Sequence, residues 1–183
     1  MTEILLSSES FVKSVTSISD NLSGKYILPA LREAQENGLK NILGDCLFSK
    51  LKSLIKDGSI NNSVNAEYKK LIDKSQYYLA YMTVVEVVNK VTFKIGNFGV
   101  TKNTDENMQI ATQDEVAKMQ YYYQSKADAY CQDLQNWLMD NRSSFPELNE
   151  CDCRRIASNL YSAATCGIFL GGVRGKSKRR CRK

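Results

Sequence analysis

Between about Val64 and Lys90 the chain carries more apolar side chains than one face of a helix can hold. Tyr68, Leu71, Ile72, Tyr78, Leu79, Met82 and Val85 recur at helical spacing and fill most of the circumference. A helix that is apolar on most sides persists in water only when neighbours surround it. Each large side chain withdrawn from water contributes about 1.5–3 kcal/mol, so this segment predicts the centre of the core. Its most apolar run, Tyr77 to Val88, contains Glu86 and falls short of the roughly 20 residues a membrane span needs, so no membrane partner is expected.

The flanking segments supply the neighbours. The first twenty residues are rich in Ser and Thr, with Phe11, Val12, Val15 and Ile18 among them. They predict a short helix after Ser7-Ser8 and then a linker, or an arm that orders only against a neighbour. Met1-Thr2-Glu3 is followed only by Ile4-Leu5-Leu6 before serines begin, so no signal peptide is expected. Ser19-Asp20-Asn21 offers helix caps, and Pro29 suits a first turn. Ile27, Ala30, Leu31, Ala34 and Leu39 then keep helical spacing, with Gly38 and Gly44 marking the end. Leu47, Phe48, Leu51, Leu54 and Ile55 define a second helix with Lys50, Lys52 and Lys56 opposite, stopped by Asp57-Gly58-Ser59.

After Lys90 the period falls from 3.6 to 2. Val91, Phe93 and Ile95 alternate with Thr92 and Lys94, and Phe98 and Val100 resume beyond Gly96-Asn97. Gly at the first central position fits a type II′ turn, which would set Ile95 opposite Phe98 and Phe93 opposite Val100 on one apolar face. A lone hairpin is marginal in water, so it must lie on its own helices or on another chain. Lys102 to Asn107 reads as a loop. Thr112-x-x-Glu115 is a capping box opening a fourth helix, whose stripe runs Val116, Met119, Tyr123, Ala127, Tyr130, Cys131, Leu134 and Leu138 and fades near Asp140. Residues 154–164 suggest another short helix and 165–170 a short strand.

The fold class expected is therefore mainly α. It is a bundle of about four main helices with a β-hairpin, residues 91–102, inserted between the third and fourth. Residues 1–20 form an N-terminal arm, 21–145 the helical domain and 146–183 a C-terminal extension. At 183 residues the chain holds one core and is short for two domains.

Charge is unevenly spread. Arg174, Lys176, Lys178, Arg179, Arg180, Arg182 and Lys183 crowd the last ten positions with no acid among them. Of the net charge of +5, the first 173 residues, with 18 bases against 20 acids, contribute −2. A nearly neutral body thus carries a positive tail, either a solvated end or an electrostatic contact for a polyanion or an acidic protein surface.

Chemistry is not in view. The absence of histidine excludes every His-containing metal site, and Cys151 and Cys153 stand too close in sequence for the usual zinc spacing. Cys46, Cys131 and Cys166 lie in apolar or amphipathic stretches and are expected as buried thiols in a reducing cytoplasm. Gly171 to Ser177 resembles a phosphate-cradling loop, but Leu170 stands where its first glycine belongs and only six residues follow Ser177. Tyr121-Tyr122-Tyr123 and Tyr77-Tyr78 could stack bases, yet consecutive helical residues diverge, which favours core or subunit contact. The pairs Asp105-Glu106 and Asp114-Glu115 sit in a loop and a first helical turn, with no apolar pocket to tune them. No enzyme, cofactor or metal is expected.

The stretch Tyr26-Ile27-Leu28-Pro29-Ala30-Leu31-Arg32-Glu33-Ala34-Gln35, with Leu39-Lys40-Asn41-Ile42-Leu43-Gly44, resembles the opening of a family of tailed-phage head-completion or head–tail connector proteins. That family occurs notably in phages of Bacteroidales, including the crAss-like group. The likeness continues through the tyrosine-rich helix Tyr68 to Lys90, the segment Phe93 to Val100 and the helix from Asp114-Glu115, spanning roughly residues 20 to 145. It does not extend to the N-terminal arm or the basic tail. It implies a structural virion protein, assembled in the host cytoplasm, that forms a ring of usually twelve copies beneath the portal. Such a ring joins the DNA-filled head to adjacent tail or ring proteins. Phe93, Ile95, Phe98 and Val100 are then the expected ring or docking contact, and the seven basic tail residues contact an acidic portal surface or, transiently, packaged DNA. The alternative is a small nucleic-acid-binding accessory protein whose tail supplies affinity.

Overall fold

The computed structural model describes residues 4–96, 99–102 and 111–150, with side chains described outside 93–96, 99–102, 149 and 150. Helix α1 (Glu9–Val15) starts where Ser8 accepts a hydrogen bond from the Phe11 amide, and it buries Val12. Helix α2 (Gly24–Glu33) is capped by Ser23 rather than by the Ser19–Asn21 cluster, which instead forms a hydrogen-bonded turn. Pro29 therefore lies in the second turn and not the first.

Gly38 does not end this helix. The chain widens into a π-helical turn (Ala34–Leu39), continues as α3 (Lys40–Leu43), and stops only at Gly44, whose φ of 81° suits glycine. Gly38 is needed for a tertiary reason: a Cβ there would overlap the hydroxyl of Tyr78 on the facing helix. Helix α4 (Asp45–Lys56) buries Leu47, Phe48, Leu51 and Leu54. Lys52 lies over the Phe48 ring at 4.6 Å and pairs with Glu36.

Helix α5 (Ala66–Thr92) is the central element, as expected. Leu71, Ile72, Tyr78 and Leu79 are buried, while Tyr68, Met82 and Val85 are half-buried. Its inner face also carries Ser75 and Thr83, both fully buried, whose hydroxyls donate to the carbonyls of Leu71 and Leu79. That back-bonding removes the cost of burying a hydroxyl and leaves small surfaces for neighbours to approach.

Helix α6 (Gln113–Asp140) opens with the predicted capping box. The Thr112 amide donates to Glu115 at 2.8 Å and the Glu115 amide to Thr112 at 3.4 Å. Contacts Lys74–Trp137, Tyr77–Tyr130, Tyr81–Tyr123 and Asn89–Gln120 rise along α5 and fall along α6, so the two helices run antiparallel. After a 3-10 turn (Arg142–Ser144), Phe145 enters the core fully buried, edge-on to Tyr68. The short helix α7 (Glu147–Glu150) follows, and the Tyr68 hydroxyl donates to the Glu147 carboxylate at 2.9 Å.

Two expectations are corrected. The inserted hairpin read over 91–102 is not the one found. Val91 and Thr92 belong to α5, with the Thr92 hydroxyl donating to the Val88 carbonyl, and pairing is limited to β1 (Phe93–Gly96) with β2 (Gly99–Lys102). The register is also shifted: Ile95 pairs with Val100 rather than with Phe98, and Phe93 with Lys102 rather than with Val100. The physical reason is Gly99, which the expected register buries inside a strand and the observed register places at a strand end. The fold class is thus a helical bundle rather than a bundle with a β-hairpin as one of its packing units. The second correction concerns Cys46 and Cys131, which are each disulfide-bonded rather than free thiols. Sulfur pairing depends on proximity in three dimensions, which sequence environment does not report.

Candidate interaction surface

The tyrosines divide as helical geometry demands. Tyr78 and Tyr123 point into the core, while Tyr77, Tyr121 and Tyr122 face outward at 42%, 78% and 54% exposure. Between α5 and α6 the outer rings form a ladder. Tyr77 stacks on Tyr130 with centroids 5.5 Å apart, Tyr130 on Tyr81 at 5.2 Å, and Tyr81 leans on Tyr123 at 6.1 Å. Phe11 of α1 closes one end, edge-on to Tyr77, and Tyr122 closes the other, edge-on to Tyr123. Lys126 lies 5.6 Å from the Tyr122 ring centroid, and Ser17 shares a hydrogen bond with the Tyr123 hydroxyl.

Burial and neighbouring phenols push the Tyr81 hydroxyl above the ordinary tyrosine range. Tyr78, far more enclosed, is pushed up to about 12, first by burial and then by Asp128 and Glu86. Both therefore stay protonated at neutral pH.

The ladder leads onto the first turns of α6, where Met119, Tyr121 and Tyr122 are all exposed and no residue from Gln113 to Tyr122 is buried. Aromatic and methionine side chains are enriched in protein interfaces, and a helix's solvent side normally lacks them. Sequence reading left Tyr121 and Tyr122 open as a subunit contact but placed Met119 on the buried stripe, so the patch was seen only in part.

A second feature, also missed, lies at the arm. Gln35 is fully buried within the π-helical turn and holds the main chain of residues 4–6, its Oε1 accepting from the Leu6 amide at 2.8 Å. The available signal was a glutamine on the inward phase between Leu31 and Leu39.

Of the sequence-predicted site residues, Phe93, Ile95 and Val100 have strand backbones, but their side chains lie outside the described residues. Phe98 and the basic tail (Arg174, Lys176, Lys178, Arg179, Arg180, Arg182, Lys183) lie outside them altogether, as do the segments 154–164 and 165–170. Among the described residues no group of three or more Cys, Asp or Glu is gathered to hold a metal ion, and no helix is long and apolar enough to cross a membrane. Glu115 caps α6, and the hydrogen bond from the Thr112 amide holds its carboxyl below the ordinary glutamate value.

Residues 39–158 match the model of a family of unknown function, DUF6712. No curated protein and no solved structure matches the chain. The chain belongs to the DUF6712 family.

Proposed function

We propose that this DUF6712 member is a structural adaptor of a tailed-phage virion, a head–tail connector that forms a ring on the portal. The observation that carries the reading is the exposed Met119, Tyr121 and Tyr122 patch on a helix segment with no buried residue of its own. Surface of that kind is covered in an assembly and wasted on a lone chain. The sequence likeness over residues 20–145 supplies the setting. A ring, of twelve copies on the family pattern, needs a head-to-tail contact in which one face of a chain meets a different face of the next. The basic tail serves an acidic portal or neighbouring surface in preference to DNA, because a conduit that released DNA slowly would hinder ejection.

Met119→Asp combined with Tyr122→Asp tests this. Light scattering and portal pull-down should show loss of ring assembly and docking, with helical content unchanged by circular dichroism. Rings and portal binding that survive both substitutions would end the assignment. The alternative, a nucleic-acid-binding accessory protein, draws on the seven-base tail. It predicts a gel shift that weakens steeply with salt and disappears when residues 174–183 are removed.

A further inference from the structure

Residues 4–6 at the start of the N-terminal arm are held by side chains that read main chain. The Leu6 amide donates to Gln35 Oε1 at 2.8 Å, Gln35 Nε2 donates to the Ile4 carbonyl at 3.1 Å, and Gln76 Nε2 donates to the Leu6 carbonyl at 3.4 Å. Among residues 4–7, Leu6 inserts its side chain deepest, at 3% exposure. Alternate backbone groups bonded along one edge, with one aliphatic plug, is the pattern of an extended peptide seated in a groove. Here two carboxamides stand in for a strand edge.

Both hydrogen bonds of the buried Gln35 side chain go to the arm. An empty groove would leave that carboxamide unpaired in the core, which is costly, so the groove needs an occupant. The arm itself is separable. Residues 16–23 link α1 to α2 outside any helix, and they are tied to the body by the half-buried Ile18 and Leu22 and by the Ser17 hydroxyl. Eight residues extended reach roughly 26 Å, enough to carry α1 to an adjoining molecule while α2 stays folded. The fit in place is also imperfect, since the Ser7 hydroxyl is buried without a hydrogen-bond partner.

We infer that this groove is a binding seat for an extended aliphatic segment, filled in a lone chain by its own Ile4–Ser7 and, when copies are concentrated, by the same segment of a second copy. The second copy is the occupant because its arm would make the same contacts already seen. Exchange then costs only association entropy, which high local concentration offsets. The inference does not depend on the virion reading.

Deleting Ser17–Asp20 from the full chain tests it by making the arm too short to fold back. Dimers or larger species by light scattering, with the Leu6 amide still protected from hydrogen exchange, are expected; a monomer overturns the inference. If the deletion does not fold, a labelled peptide of residues 4–15 is titrated into the intact chain. Saturable binding should appear, weakened by roughly ten-fold or more when the peptide carries Leu6→Asp. Equal uptake of both peptides, or none, overturns it.

Discussion

The two halves of α6 are one unbroken helix with opposite fates. From Tyr123 to Leu138 it buries Tyr123, Ala127, Cys131, Leu134 and Leu138 against α5 and the rest of the bundle. From Gln113 to Tyr122 it buries nothing, although Val116 and Met119 continue the same apolar phase. The earlier half touches α5 through the hydrogen bond from Gln120 to Asn89, and of its residues only Val116 and Gln120 are half-buried. Periodicity therefore reports which side of a helix wants a neighbour and is silent on whether that neighbour belongs to the same chain.

The sharpest way to break this contrast is a pair of truncations. Leu79→Ala, at a site with no exposure, should cost about 2–5 kcal/mol in urea unfolding. Met119→Ala, 44% exposed, should stay within about 0.5 kcal/mol in the isolated chain. Comparable losses at the two sites would mean that the exposed half is packed after all. Next in size, Gln35→Leu leaves the Leu6 amide and the Ile4 carbonyl without their partner and should cost about 1–3 kcal/mol. Hydrogen exchange should quicken at Leu6 first; unchanged exchange there would show that the arm is held by packing alone.

Alkaline stability separates core from surface phenols. Because Tyr78 titrates near 12 when folded and near 10 when unfolded, its contribution is complete below 10 and is lost as pH rises toward 12. Urea midpoints should fall across that window, and Tyr78→Phe should flatten the fall. The smallest effect belongs to the α6 cap. The Glu115 carboxyl is held low by the Thr112 amide, so its help to the helix is present above the unfolded pKa and lost as pH falls through the folded one. Amides of residues 113–117 should then exchange faster while those near Leu134 do not respond. A uniform change along α6 would show that its halves are not independent.

Much of the bundle was legible from local rules. Ser8 capping α1, the α4 stripe, the Thr112–Glu115 box and the inward phase of α5 each follow from spacing and from hydrogen-bonding groups within a few residues. Some errors are local, such as the α2 cap at Ser23 and the shifted strand register, and others involve distant partners. Gly38 reads as a stop until Tyr78 is known to lie against it. Gln35 reads as an ordinary helical residue until the arm folds across it. The candidate surface was half legible: the stripe already set Tyr123 inward, but only the tertiary structure leaves Met119, on that same stripe, exposed beside Tyr121 and Tyr122.

What the sequence determined by itself is where α1 and α6 start, which side of each helix is apolar and how charge collects in the tail, because those depend on neighbours along the chain. Tertiary structure alone decided which apolar faces find cover and which cysteines meet another sulfur. Those outcomes rest on contacts between residues far apart in sequence, and local spacing carries no record of them.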